Sequence, residues 1–240
     1  VSRPEIDLPD DLDPTDDRVY AAGRDNLRRM VADGILTVDS APGYLVYRQG
    51  VGSRVQTGVV GLATVSEYES GVIARPELTR ADKELDRVRH IDALGAHDEP
   101  VFLLYPDSEE LSTLLGEVTA GDPEVDLGTD DGVHHQLWQV GDADSVEAFR
   151  AAFAALPRAY IADGHHRSAA AARVAAQRAG QGGAEVEGFL SVVFAAGDLT
   201  LLPYNRAVAD LAGASPESLL ERLDTAFEVV PSSTAVEPEA

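Results

Sequence analysis

Apolar positions recur along this chain at two spacings, and the switches between them outline its elements. Residues 19–36 place Val19, Leu27, Met30, Val31 and Ile35 near helical spacing and reach Gly34, a residue suited to end a helix, so a packing helix is expected there. YLVYRQ (44–49) and RVQTGVVGLATV (54–65), parted by Gly50 and Gly52, read as an antiparallel hairpin in which Tyr, Val and Thr favour the pleat. VFLLYPD (101–107) is a short strand stopped by Pro106, and the serine-capped, acid-led stretch 108–118 is a helix. A turn-rich acidic loop at 121–132 precedes a strand at 133–140. An amphipathic helix over 142–156 then buries Val146, Phe149, Phe153 and Leu156.

After the strand around 159–162 an alanine-rich helix begins. Its small residues suit close packing against a sheet. Further on come a strand at 188–196, a Gly-Asp turn at 197–198 and a strand at 199–203. A helix follows in which Ser215 caps Pro216, then a short strand at 227–230. No repeat and no linker interrupts this order, and the pattern predicts an α+β fold: a mixed, largely antiparallel sheet with packed helices. Residues 1–17 read as an acidic, extended or disordered lead-in, 18–230 as a single α+β domain and 231–240 as a polar tail. The start at Val1 and the polar end suggest a piece of a longer protein.

Composition narrows the chemistry. With 42 acidic against 19 basic residues the chain carries a formal charge of −23, which repels nucleic acid phosphates and anionic lipid. There is no cysteine, so disulfides, thiolate zinc sites and cysteine nucleophiles are excluded, in keeping with a cytoplasmic setting. No apolar run approaches the roughly 18 residues of a membrane span, and the first residues lack the basic and apolar regions of a signal peptide. Carboxylates, histidines, hydroxyls and arginines must therefore supply any activity.

The most pointed motif is Asp163-Gly164-His165-His166-Arg167, where a strand turns through glycine into a helix. Such a junction offers free backbone N–H groups and the positive end of a helix dipole, both attractive to anions. Arg167 adds a permanently charged fork, the two histidines titrate near neutrality, and Asp163 can hold magnesium or orient a histidine. An ordinary capped helix start with surface histidines accounts for the same five residues. Adjacent helical residues diverge by about 100°, so His165 and His166 are not expected to share one metal ion. His134 and His135 lie on opposite faces of a strand, one exposed and one bonded beside the core, and Trp138 reads as core. Arg87, Asn205 and Arg206 read as surface or turn groups, with phosphate or substrate contact as the functional alternative.

YIADGHHR (160–167) resembles the hallmark of a widespread family of prokaryotic proteins, the domain of unknown function 1015 family. YLVYRQ, TGVVGLATVSEYESGVI (57–73), PELT (76–79), PVFLLYPD (100–107), HHQLWQV (134–140) and LLPYNRAVADL (201–211) stand in that family's order at similar distances. Family members are longer. Pro76 stands where the family commonly has histidine, and Ser168 where it has tyrosine.

The family's turn is similar to that of free serine kinases of the ParB/sulfiredoxin-like superfamily. This resemblance implies a ParB/sulfiredoxin-like element around the turn, with Gly164, His166 and Arg167 cradling the phosphates of ATP or ADP. Asp163, as the Mg2+ ligand, and His165 would face the metal and the acceptor hydroxyl. Glu77 would act as the general base from its loop. The expectation is a nucleotide-dependent kinase for a small molecule such as free serine, in an assembly of unstated order. A non-catalytic nucleotide-sensing module and a ParB-like nucleic-acid-associated protein are the alternatives, the latter disfavoured by the acidic charge and the lack of a basic stripe.

Overall fold

Residues 1–179, 187–200 and 210–230 are described by the structure, a computed structural model. In chain order the elements are α1 (Asp17–Ala32), β1 (Tyr44–Val51), β2 (Arg54–Thr64), α2 (Val65–Ser70), β3 (Ile73–Ala74), α3 (Ala81–Leu94), β4 (Val101–Tyr105) and α4 (Glu109–Thr119). β5 (Val125–Gly128), β6 (Val133–Val140), α5 (Ala143–Ala154), β7 (Ala159–Asp163), α6 (His165–Gln177), β8 (Gly188–Ala195) and α7 (Pro216–Asp224) follow. Two compact units emerge, Val1–Asp198 and Leu199–Ala240. In the second, the Ser215 side chain accepts from the Ser218 amide and Pro216 opens α7, as the sequence leads one to expect.

The first unit holds an eight-stranded sheet ordered β3-β7-β4-β8-β2-β1-β6-β5. Among the described residues only β3 with β7 and β4 with β8 run parallel, so the sheet is mixed and largely antiparallel, and the fold is α+β as expected. Register places Trp138, Val46, Val59, Val193, Leu103 and Ile161 in one row across six strands. Because strand side chains alternate, this row defines one face. Both larger core clusters use that face: α4 and α5 cover one half through Leu111, Leu115 and Phe149, while α2 and α6 cover the other through Tyr68, Ala169 and Ala171. The alanines let α6 lie close to the sheet, and α3 packs behind it, its Val88 and Ile91 against Ala170 and Val174. Side chains as fully buried as Phe149 and Phe189 each contribute roughly 1.5–3 kcal/mol through removal from water.

Several elements depart from the pattern reading. The strand expected to reach residue 65 stops at Thr64, whose hydroxyl accepts from the Glu67 amide and donates to its carboxylate at 2.6 Å, a reciprocal cap that starts α2. The acidic loop at 121–132 contains β5, an exposed edge strand held by Asp126 to His134 and Gln136 of β6. The stretch 227–230 is not a strand, and of the strand expected at 199–203 the described residues 199 and 200 are not in one; the remainder lies outside the described residues, as does the 231–240 tail. Val31 and Ile35 are exposed, whereas α1 buries Val19, Tyr20 and Gly23; the apolar spacing at the end of that segment belongs to a surface. Within the lead-in, Pro4–Asp7 forms a 3-10 turn with Pro4 buried.

Candidate functional site

β7 delivers Asp163 to the sheet end, and Gly164 turns the chain with φ 93° and ψ 24°, a left-handed conformation that side chains resist. Space demands glycine as well: a Cβ there would stand 3.2 Å from Val101 Cα and 3.0 Å from Arg167 Nη1. α6 then starts at His165 with no side chain capping it, so its first-turn N–H groups have no intrahelical acceptor.

The five motif residues separate by role. His165 is 7% exposed; its Nδ1 stands 3.7 Å from Glu77 Oε2, and its buried Nε2 has no hydrogen-bond partner among the described residues. His166 turns the other way, its Nε2 accepting the Arg80 amide at 3.0 Å, which places the proton of the neutral ring on Nδ1. Arg167 folds back over the turn. Its Nε meets Glu99 Oε2 at 2.9 Å, and its Nη1 donates to the Pro100 carbonyl at 2.7 Å and lies 3.4 Å from Asp163 Oδ2. Ser168, fully buried, donates to the His165 carbonyl at 3.1 Å, so its own hydroxyl is satisfied under the helix.

Three chain segments thus converge: the β7–α6 turn, the loop carrying Glu77 to Arg80, and the loop entering β4. Glu77 is 74% exposed, and its 3.7 Å approach to His165 is longer than a hydrogen bond. Asp163, 70% exposed, has no partner for its carboxylate among the described residues apart from the long contact with Arg167. The spacing of the motif concealed Glu99, Pro100 and Arg80, which lie 67 to 86 positions from the groups they bind; only the folded topology brings them in. Among the described residues no group of three or more His, Cys, Asp or Glu is arranged to hold a metal ion.

Behind Arg167 the loop before β4 is itself polar. Burial pushes the His97 imidazole below its ordinary value, opposed by its backbone contact with Gly188. At Asp98 burial acts upward, but hydrogen bonds from His90 and Ser2 outweigh it and hold the carboxyl at about 2. A void of about 10 Å3 lies between these groups, lined by Arg87, His97, Glu99 and Arg167 among others. Arg87 is accordingly a neighbour of the turn, while Asn205 and Arg206 lie outside the described residues. His134 pairs with Asp126, and His135 bonds the Tyr47 hydroxyl at 2.7 Å, both on β6 and engaged locally. Trp138 is core, its indole donating to the Gly121 carbonyl.

A family model described as Protein of unknown function (DUF1015) matches residues 1–240, and the chain belongs to that family. No curated protein and no solved structure matches it. No helix among the described residues is long and apolar enough to cross a membrane.

Proposed function

We propose that the β7–α6 turn of this DUF1015 protein binds the phosphates of ATP or ADP, and that the protein transfers a phosphoryl group to a hydroxyl of a small molecule such as free serine. One observation carries the reading: an uncapped helix start on a left-handed glycine with little room for a side chain, beside a histidine whose buried Nε2 lacks a partner among the described residues. Backbone N–H groups at such a start bind phosphate oxygens without needing a lysine. Gly164 lets the chain approach the phosphates, while His166 ties the Arg80 loop to the turn and can donate from Nδ1. Arg167 reaches a phosphate by exchanging its Glu99 partner for the ligand, a like-for-like swap of one anion for another.

In the transfer, the acceptor oxygen forms a bond to the terminal phosphorus as the bond to the departing nucleotide oxygen breaks, and the hydroxyl proton passes to Glu77. Asp163 is the one carboxylate at the turn suited to Mg2+, which fits an ion held mainly by phosphates and water, and which would neutralise phosphate charge. Phosphoryl transfer depends chiefly on positioning and charge neutralisation, which this arrangement of fixed donors can provide.

Titration calorimetry with ATP or ADP plus magnesium tests binding, and phosphorus NMR with serine tests transfer. Glu77→Gln is expected to keep nucleotide binding and to lower turnover by roughly 10²–10⁴, the usual contribution of a general base. Binding without any product would favour the alternative of a sensing module, for which the exposure of Glu77 speaks. Absence of nucleotide binding by the wild-type chain would remove both readings.

A further inference from the structure

The far end of β4 opens into a larger space. β4 and β8 are adjacent and parallel, and a cleft of about 820 Å3 lies beyond their carboxyl ends, under the start of α4. In α/β sheets, ligands gather outside the carboxyl ends of parallel strands, where the loops diverge. Here Tyr105 ends β4, Asp107 and Ser108 follow it, and Gly197 and Asp198 follow β8.

The cleft is built rather than incidental. Asp107 Oδ1 accepts the Gly197 amide at 2.9 Å, which clamps the two strand ends together. A Cβ on residue 197 would fall 2.7 Å from Asp107 Oδ2, so glycine is what admits the carboxylate. Tyr105 is 1% exposed, yet its hydroxyl borders the cleft and has no hydrogen-bond partner among the described residues. Burial first, then the charges of Asp198 and Asp107, push that hydroxyl up to about 12, so it stays protonated at neutral pH. Asp198 and the hydroxyl of Ser112 also lack partners among the described residues. Among the described lining residues the one cation, Arg48, is already engaged: its Nε donates to Thr57, and its guanidinium lies 5.0 Å from the Trp138 ring centroid.

We propose that this cleft binds a small hydroxylated organic amine. The ammonium lies between Asp107 and Asp198 and donates to the Tyr105 oxygen, and the ligand hydroxyls meet Ser112 and Thr113. Charge selects the class, because among the described lining residues three carboxylates, Asp107, Glu109 and Asp198, stand against one engaged arginine. An organic cation fits better than a metal ion, since these carboxylates do not converge into a metal-holding group. The assignment is independent of the phosphate turn, which lies at the opposite end of β4.

The test is calorimetry of the intact chain at physiological salt with ethanolamine, serinol and 3-amino-1,2-propanediol, with glycerol and magnesium chloride as controls. At least one amine is expected to bind and glycerol not to. Asp198→Asn, at an exposed position, is expected to weaken the bound amine about tenfold, as loss of a charge-assisted contact should. Asp130→Asn, which changes net charge equally on a remote turn, is expected to leave binding unchanged. Tyr105→Phe should weaken it further where it folds; if it does not fold, Asp198→Asn decides. No binding by any of the three amines, equal weakening by Asp130→Asn, or displacement of the amine by magnesium would each overturn the proposal.

Discussion

The two ends of β4 treat charge in opposite ways. At its start, the motif residues that stand out in the sequence are largely satisfied by one another and by their neighbours: Arg167 by Glu99 and Pro100, His166 by the Arg80 amide, Ser168 by the His165 carbonyl. At its finish, where the segment PVFLLYPD shows no cluster of charged residues, the Tyr105 hydroxyl and Asp198 border the cleft without partners among the described residues. A conspicuous cluster of polar residues can therefore be a latch that holds a turn in shape, while unremarkable residues after two parallel strands hold the free groups. Chemistry at the first end requires partners to be exchanged; at the second, it requires only a ligand.

Backbone changes give the sharpest contrast. Gly164→Ala combines a positive φ with a Cβ 3.2 Å from Val101 Cα, where the obstacle is backbone that cannot step aside. It is expected to destabilise the protein by about 2–3 kcal/mol, read from urea midpoints. Gly197→Ala meets the end of the Asp107 side chain instead, which can swing away, so a loss of about 1 kcal/mol is expected together with a disordered cleft. Equal losses for the two would erase the distinction between a rigid turn and an adjustable rim.

Next in size is the latch itself. Glu99→Gln removes the charge that faces Arg167 and leaves its contacts with Pro100 and Asp163. If Glu99 occupies the place of a ligand anion, binding of ATP or of inorganic phosphate should tighten by roughly 3- to 10-fold, in line with the modest worth of a half-exposed ion pair. Binding that weakens instead would mean that Glu99 positions Arg167 for the ligand. Stability should change little, because the guanidinium keeps a carbonyl and a second carboxylate.

How much of this was legible in the sequence depends on range. The hairpin, the helix of Phe149 and the strand–glycine–helix turn follow from spacing and glycine placement, and each stands where the pattern puts it. α2 was hidden because Thr64 reads as the end of a β-run and Glu67 lies just past it, until their side chains are seen to cap each other. β5 was hidden because Val125–Gly128 is four residues long, exposed throughout and set among Gly, Asp and Pro that read as turn. At the site, Asp163, His165 and Arg167 were visible, but Glu99 was not, and neither was the cleft behind Asp107. Both depend on which strands lie side by side, a property of topology that local spacing does not encode.

The smallest expected effect concerns pH, and it separates the two ends once more. His97 lies in the loop that carries Glu99, and burial holds its imidazole below the ordinary value, so the folded state prefers the neutral ring. A depressed folded pKa means that its contribution to stability is complete above the unfolded value, about 6.5, and is lost as pH falls from there. Asp98 adds a second loss at lower pH, between the ordinary carboxyl value near 4 and its own value of about 2. Urea midpoints measured from pH 7.5 to 5 should therefore decline more for the wild type than for His97→Gln, and phosphate binding at the turn should weaken in parallel as the loop loosens. The Tyr105 hydroxyl, held near 12, does not change state in this range, and amine binding between its neighbouring carboxylates should stay level. A pH response shared by both ends would show that protonation acts on the whole sheet, and not through the loop that grips Arg167.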